Sequence, residues 1–262
     1  MVNISQNLSK QITSLVKKTG DTLLKEFKAN KIIKPNFKSK REIVTYADLL
    51  AEKIILQKLK ELTPDWHIIS EEAGDNEIKS DYLWLIDPLD GTTNFYMGNP
   101  LFAVQIALIY KNEPIAGWIY APYIKEFYWT QKGKGAFLNN KKINVSKRPL
   151  SQALLTYCHG YGEHSLKKIV KIYEHFKLKQ FDIRQLGSAA IEFGWVAKGK
   201  TESYLSPGAN PWDVAPGALL VREAGGKVYD FEGQKWQYGK SQNVVATNGV
   251  VDKELLRDIK KL

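Results

Sequence analysis

The sequence predicts a layered protein of mixed α and β structure, hairpin-rich in its first half and more α/β in its second. Two observations carry this expectation. Long amphipathic segments alternate with short runs rich in β-branched and aromatic residues, and between residues 67 and 131 those short runs follow one another directly, with Gly, Pro, Asn and Lys between them. No internal repeat, low-complexity tract or linker divides the 262 residues, so they read as a single unit with an α+β lobe over about 1–145 and an α/β lobe over about 146–262.

Taken in order, residues 4–28 place Ile4, Leu8, Ile12, Leu15, Val16, Leu23 and Phe27 at near-helical spacing with lysines between them, which predicts an amphipathic helix. A second helix is predicted over about 47–62, with Leu50, Ile54 and Leu59 among its apolar positions and Pro64 closing it. Strands follow at 67–70, 82–87, 102–110, 115–120 and 126–131, and the segment from Leu138 reads as a hairpin with its tip at Asn139 and Asn140. Further helices are expected at 165–178 and 188–198, and the apolar run after Asp213 reads as another.

Composition narrows the function classes. With 44% hydrophobic and 25% charged residues the chain is ordinary for a globular protein, and no apolar run approaches the roughly 20 residues that span a bilayer. The N-terminus has no apolar segment resembling a secretory signal. A lone cysteine, Cys158, forms no intramolecular disulfide and suits a reducing compartment, so the expected location is the cytoplasm. The net charge of +10 would draw phosphorylated small molecules, nucleic acid or acidic surfaces alike, but its lysines are spread along the chain as in any lysine-rich protein.

The informative stretch is "WLIDPLDGTTNF", residues 84–95. It ends an apolar run with Asp87 and Asp90, three apart around Pro88, and follows them with Gly91, Thr92 and Thr93. Two carboxylates brought that close repel unless a proton or a cation lies between them. A plain Asp-Gly turn is the simpler reading of the hexapeptide alone. An EF-hand loop fits poorly, because the twelfth position from Asp87 is Gly98 where such a loop needs glutamate. Glu71 and Glu72 follow another short apolar run, and Asp213 opens the helix of "PWDVAPGALLVREAGG". Each has an innocent reading, a solvated pair and a helix cap. Together they form a set of hard oxygen ligands with no His or Cys partner, better suited to Mg²⁺ than to zinc, and the four histidines show no ligand spacing.

At this point the chain resembles the inositol monophosphatase superfamily, the lithium-sensitive, magnesium-dependent phosphatases of small phosphates. The resemblance rests on "VTYAD" (44–48), "SEEAGD" (70–75), "WLIDPLDGTTNF" (84–95), "RQLGSAA" (184–190) and "PWDVAPGALLVREAGG" (211–226), in the family's order and spacing. It implies a layered αβαβα sandwich of the inositol monophosphatase and fructose-1,6-bisphosphatase type, acting as one catalytic unit. By the same resemblance Glu71, Asp87 and the backbone carbonyl of Leu89 hold a first Mg²⁺, and Asp87, Asp90 and Asp213 a second. A weaker third ion leans on Glu71. Thr92, positioned by Asp48, partners Glu71 in deprotonating the attacking water, and Gly91 and Thr92 offer NH groups to the phosphate. Gly187, Ser188 and Ala189 line the substrate's ring together with Asp90 and Asp213, and Lys38 matches a lysine of a mobile loop near the site, though it also reads as one more exposed lysine.

One departure stands out. Where inositol-specific members carry a glutamate seven residues before the aspartate of the Trp-Asp pair, this chain has Ser206. The expected activity is Mg²⁺-dependent hydrolysis of inositol monophosphate or a related small phosphate. Fructose-1,6-bisphosphatase, NADP(H) phosphatase and adenosine 3′,5′-bisphosphate phosphatase are the alternatives on the same fold. The family implies a homodimer. An RNA or transcription-complex binding role is the alternative of another class, and no nucleic-acid motif or aromatic-interleaved basic cluster supports it.

Overall fold

The computed structural model describes residues 4–29, 36–37 and 43–262. Lys38 lies outside them. In chain order the elements are α1 (Gln6–Lys28), β1 (Asn36–Phe37), β2 (Ile43–Val44), α2 (Tyr46–Leu62), β3 (His67–Ser70), β4 (Gly74–Asp75), β5 (Tyr82–Asp90), α3 (Thr92–Tyr96), β6 (Ala103–Tyr110), β7 (Glu113–Ala121), β8 (Glu126–Gln131), β9 (Gly135–Leu138) and β10 (Lys141–Ile143). The second half adds β11 (Leu154–Tyr157), α4 (Glu163–Leu178), β12 (Asp182–Arg184), α5 (Ala189–Ala197), β13 (Ser203–Ser206), α6 (Pro211–Glu223), β14 (Lys227–Tyr229), β15 (Val244–Thr247) and α7 (Asp252–Ile259).

Two sheets organise the molecule. The first has eight strands in the order β10-β9-β8-β7-β6-β5-β3-β4, antiparallel except for the parallel pair β3 and β5. The second has five strands, β12-β11-β13-β15-β14, of which β12, β11 and β13 run parallel. Strands buried on both faces read as nearly continuous apolar runs, and period-2 alternation assigns each residue to a layer. Along β5, Trp84 and Ile86 pack under α1 and α2 with Ile12, Val16, Ala51 and Ile55, whereas Leu83 and Leu85 face the opposite way, into the core with Phe193 of α5 and Ala218 of α6. Along β13, Tyr204 joins that same central core, while Leu205 faces Ile172 and Phe176 of α4 and Leu255 of α7. The stacking is therefore helix, sheet, helix, sheet, helix, the αβαβα sandwich.

Local chemistry accounts for the elements. Ser5 caps α1 by accepting the NH of Leu8. The buried stripe of α2 runs through Ala47, Ala51, Ile55 and Leu59, with Leu50 and Ile54 at its margin, because the alanines let the helix sit close on the sheet. The two-residue connection between β9 and β10 is Asn139-Asn140 with both φ positive, the backbone that a tight hairpin requires. No described helix is long and apolar enough to cross a membrane.

Candidate active site

The carboxyl ends of β3, β5 and β13 bring in the acids, Glu71 just after β3, Asp87 and Asp90 at the end of β5 and Asp213 in the helix that follows β13, and carboxyl strand ends are where open α/β sheets generally bind ligands. Asp87 and Asp90 belong to one strand. In a regular strand residues three apart point to opposite faces. Here Asp87 pairs with Gln105 and Asp90 with Ala103, so three steps on β5 match two on β6, and the extra residue is a β-bulge. The bulge turns both carboxylates to the face shared by Gln105 and Ala103. Pro88, which has no NH to give a ladder, sits inside it.

Asp87 is 1% exposed; its Oδ2 accepts from Gln105 Nε2 at 3.1 Å and its Oδ1 from the NH of Leu89 at 3.1 Å. Burial first, and then the charges of Glu71, Asp90 and Asp213, push its pKa well above the ordinary carboxylate value. Asp213, at the third position of α6, accepts the NH of Asn210 at 3.1 Å and is raised likewise by burial, Glu71 and Asp90. So the structure brings Glu71, Asp87, Asp90 and Asp213 within electrostatic reach of one another, and Asp213 serves as a helix cap as well. Asp90 accepts from Ser188 Oγ in a short contact, from the NH of Ala189 at 3.0 Å and from that of Ala190 at 3.1 Å. Among the described residues no lysine or arginine pairs with Asp87, Asp90 or Asp213. Among those residues, too, no three His, Cys, Asp or Glu side chains close into a ready-made chelate.

Next to the acids, Asp48 accepts from the NH and hydroxyl of Thr45 at 2.7 and 2.6 Å, completing the capping box of α2, and its other oxygen faces Thr92 Oγ1 at 2.9 Å. Thr92 Oγ1 also lies 2.9 Å from the carbonyl of Leu89. Gly91 has φ +87°, and a Cβ there would come within 2.8 Å of the Leu101 carbonyl oxygen, so position 91 needs glycine twice over. It caps α3, a single turn of five residues.

The segment 187–189 meets Asp90 with its polar groups. The NH of Gly187 goes to Glu192, its carbonyl to Asn94, and the Ser188 hydroxyl to Asp90 and the start of α5. Ser206 closes β13, 2% exposed, on the face of Tyr204.

This chemistry has relatives. A model of the inositol monophosphatase family matches residues 5–262. The chain belongs to the inositol monophosphatase family. It is 36% identical over 249 residues to the inositol-1-monophosphatase of Mesorhizobium japonicum, covering 93% of this chain and 92% of that protein. To the fructose-1,6-bisphosphatase/inositol-1-monophosphatase of Thermotoga maritima it is 35% identical over 222 residues, 85% of this chain and 84% of the other. The crystal structure of the extragenic suppressor protein suhB from Bartonella henselae superposes with a TM-score of 0.91 at 31% identity, over 98% of this chain and 99% of that one.

Several residues that support this inositol monophosphatase-family site were absent from the sequence reading. Glu52, one helical turn beyond Asp48, accepts from Ser70 Oγ at 2.6 Å and the NH of Ala73 at 2.8 Å and so holds the loop that carries Glu71. Two acids on the buried stripe of one amphipathic helix were the available signal. Asn94 lay inside the motif 84–95 but was given no role, and Gln105 carried no signal, being an ordinary polar residue until the fold places it.

Proposed function

We propose that this member of the family is a Mg²⁺-dependent phosphomonoesterase acting on inositol monophosphate or a related small phosphate. The observation that supports it most is the convergence of acids from three parts of the chain, Glu71 after β3, Asp87 and Asp90 of β5 and Asp213 of α6, with burial and neighbouring acids raising the pKa of Asp87 and Asp213, beside a threonine hydroxyl tied to a buried aspartate. Such a cluster favours either protons or a hard cation, and its donors, carboxylates together with the Leu89 carbonyl, are all oxygen, as Mg²⁺ prefers. Glu71, Asp87, Asp90, Asp213 and the Leu89 carbonyl would hold two to three ions. When bound, Mg²⁺ supplies a lowered pKa for water and neutralises charge on the leaving oxygen.

The chain's own residues do the rest. A threonine hydroxyl has one proton to donate. With that proton directed to Asp48, Thr92 Oγ1 offers lone pairs to a water, orienting it, while Glu71 accepts the proton the water loses. The NH groups of Gly91 and Thr92 would face the phosphate. Burial raises the pKa of Asp48 in spite of its bonds to Thr45 and Thr92, which makes its carboxylate a strong acceptor for that hydroxyl. Ser206, smaller and uncharged, would make fewer demands on a ring polyol than a glutamate, so the substrate range would extend to sugar bisphosphates and nucleotide phosphates. Inhibition by lithium, a cytoplasmic location and a homodimeric state belong to the same proposal, supported by the family resemblance alone.

The test is phosphate release from inositol 1-phosphate, fructose 1,6-bisphosphate, adenosine 3′,5′-bisphosphate and NADP, with Mg²⁺ and with a chelator. Release from at least one substrate is expected only with Mg²⁺, and Asp87→Asn is expected to abolish it. Equal release in chelator, or a tenth of wild-type turnover retained by Asp87→Asn at saturating Mg²⁺, would defeat the proposal.

A further inference from the structure

Glu192 is a carboxylic acid in the otherwise apolar helix α5, with no exposed surface. Its Oε1 accepts from the NH of Leu186 at 3.0 Å, the NH of Gly187 at 3.2 Å and the Cys158 thiol at 3.3 Å. On the other side of the same two residues, Asn94 Nδ2 donates to the carbonyls of Leu186 at 2.8 Å and Gly187 at 3.2 Å. Both NH groups and both carbonyls of the 186–187 turn are thus gripped by two side chains. Gly187 has φ +77°, and a Cβ there would meet Asn94 at 3.1 Å, so the turn is tight as well as clamped. The three residues that follow, Ser188, Ala189 and Ala190, aim their donors at Asp90.

We infer that Glu192 is a positioning residue for Asp90: it anchors the turn from which three donors are directed onto that carboxylate, and thereby sets the geometry of the acidic cluster. This rests on reading the cluster as a Mg²⁺ site. A residue whose only role was to fill the core would do so better as an apolar side chain, because a buried carboxyl costs free energy that packing alone does not return. Glu192 commits one oxygen to the two NH groups of the turn, which is the arrangement of a group retained for what that oxygen holds. Burial raises its pKa to about 8, so near neutral pH it is largely the uncharged acid, and glutamine reproduces it closely.

The experiment compares Glu192→Gln, which keeps an acceptor at the turn, with Glu192→Met, which keeps the volume and loses it. Mg²⁺ binding is measured by titration calorimetry and phosphate release in parallel. Glu192→Met is expected to weaken Mg²⁺ binding by about tenfold, the scale of one lost buried acceptor, and to raise KM. Glu192→Gln is expected to restore both to within about threefold of wild type. Should Glu192→Met fail to fold, Glu192→Asp, which withdraws the carboxyl from the turn by one methylene, carries the same expectation. Mg²⁺ binding unchanged in the folded variant, or Glu192→Gln as impaired as Glu192→Met, overturns the inference while leaving the phosphatase standing. A wild type that neither binds Mg²⁺ nor releases phosphate removes both.

Discussion

Asp90 receives three donors, from Ser188, Ala189 and Ala190, and still has its pKa pushed up to about 6, because burial outweighs them. Glu192 is raised by burial to about 8. Each group binds its proton more tightly in the folded protein than in the unfolded chain. Their stabilisation is therefore complete below the unfolded values of 3.8 and 4.5 and is lost as the pH rises through about 6 and about 8. Asp258 works in the opposite sense, since Lys179 and His175 overcome its burial and bring it down to about 2, but its contribution disappears only below 3.8. The Mg²⁺-free protein is accordingly expected to melt at lower temperature as the pH is raised from about 5 to about 8. Asp87→Asn should melt higher than wild type at the upper end, having lost a carboxylate that burial and the neighbouring Glu71, Asp90 and Asp213 disfavour. Differential scanning calorimetry in chelator reads both, and a melting temperature that climbs with pH across that window would contradict them.

Among the elements, the longer helices and most strands of the first sheet were legible in the sequence, because amphipathic period and hairpin punctuation are local signals; α3 and the two-residue β4 were missed. The five strands of the second sheet were not. They are three or four residues long and place Thr156, Ser203, Ser206 and Thr247 in the interior, so neither alternation nor hydrophobicity marks them. The helix α7 passed unnoticed for a similar reason, with only Leu255 and Ile259 fully buried in an otherwise polar segment. For the candidate site, the acids were visible as motifs, but the bulge that turns Asp87 and Asp90 to one face was not, because it is a matter of register with β6. Nor was Glu192, whose partners lie on a turn and a strand end elsewhere. The seam of α6 on β7 is close and made of backbone. A Cβ at Gly117 would lie 3.1 Å from the backbone Cα and carbonyl oxygen of Pro216, and neither can swing aside as a side chain could. Gly117→Val is expected to cost about 1–3 kcal/mol of stability in urea denaturation, the range for overpacking a core. Activity should fall further than stability, because α6 carries Asp213 one turn earlier. An unchanged denaturation midpoint would show that the seam has slack.

Across the whole molecule, α5 and α6 are the middle layer, packed on one sheet through Leu85 and Ala107 and on the other through Tyr204 and Ala246, all within one continuous core. Removing either sheet would expose that layer. We propose that the two lobes do not melt separately, and that far-ultraviolet circular dichroism and tryptophan fluorescence will trace a single coincident transition. Trp84 and Trp118 report on the outer core and Trp236 on the central one, so two resolved steps would be detected and would refute this. The bonds on Asp90 span 98 to 100 residues of chain. On the ribosome, where chains grow at about 5–20 residues per second, this carboxylate waits roughly 5–20 s for the segment that will orient it. A nascent or prematurely released chain can complete every strand of its first sheet and still lack both an oriented Asp90 and Asp213 of α6, so truncated products carry only part of the acidic cluster.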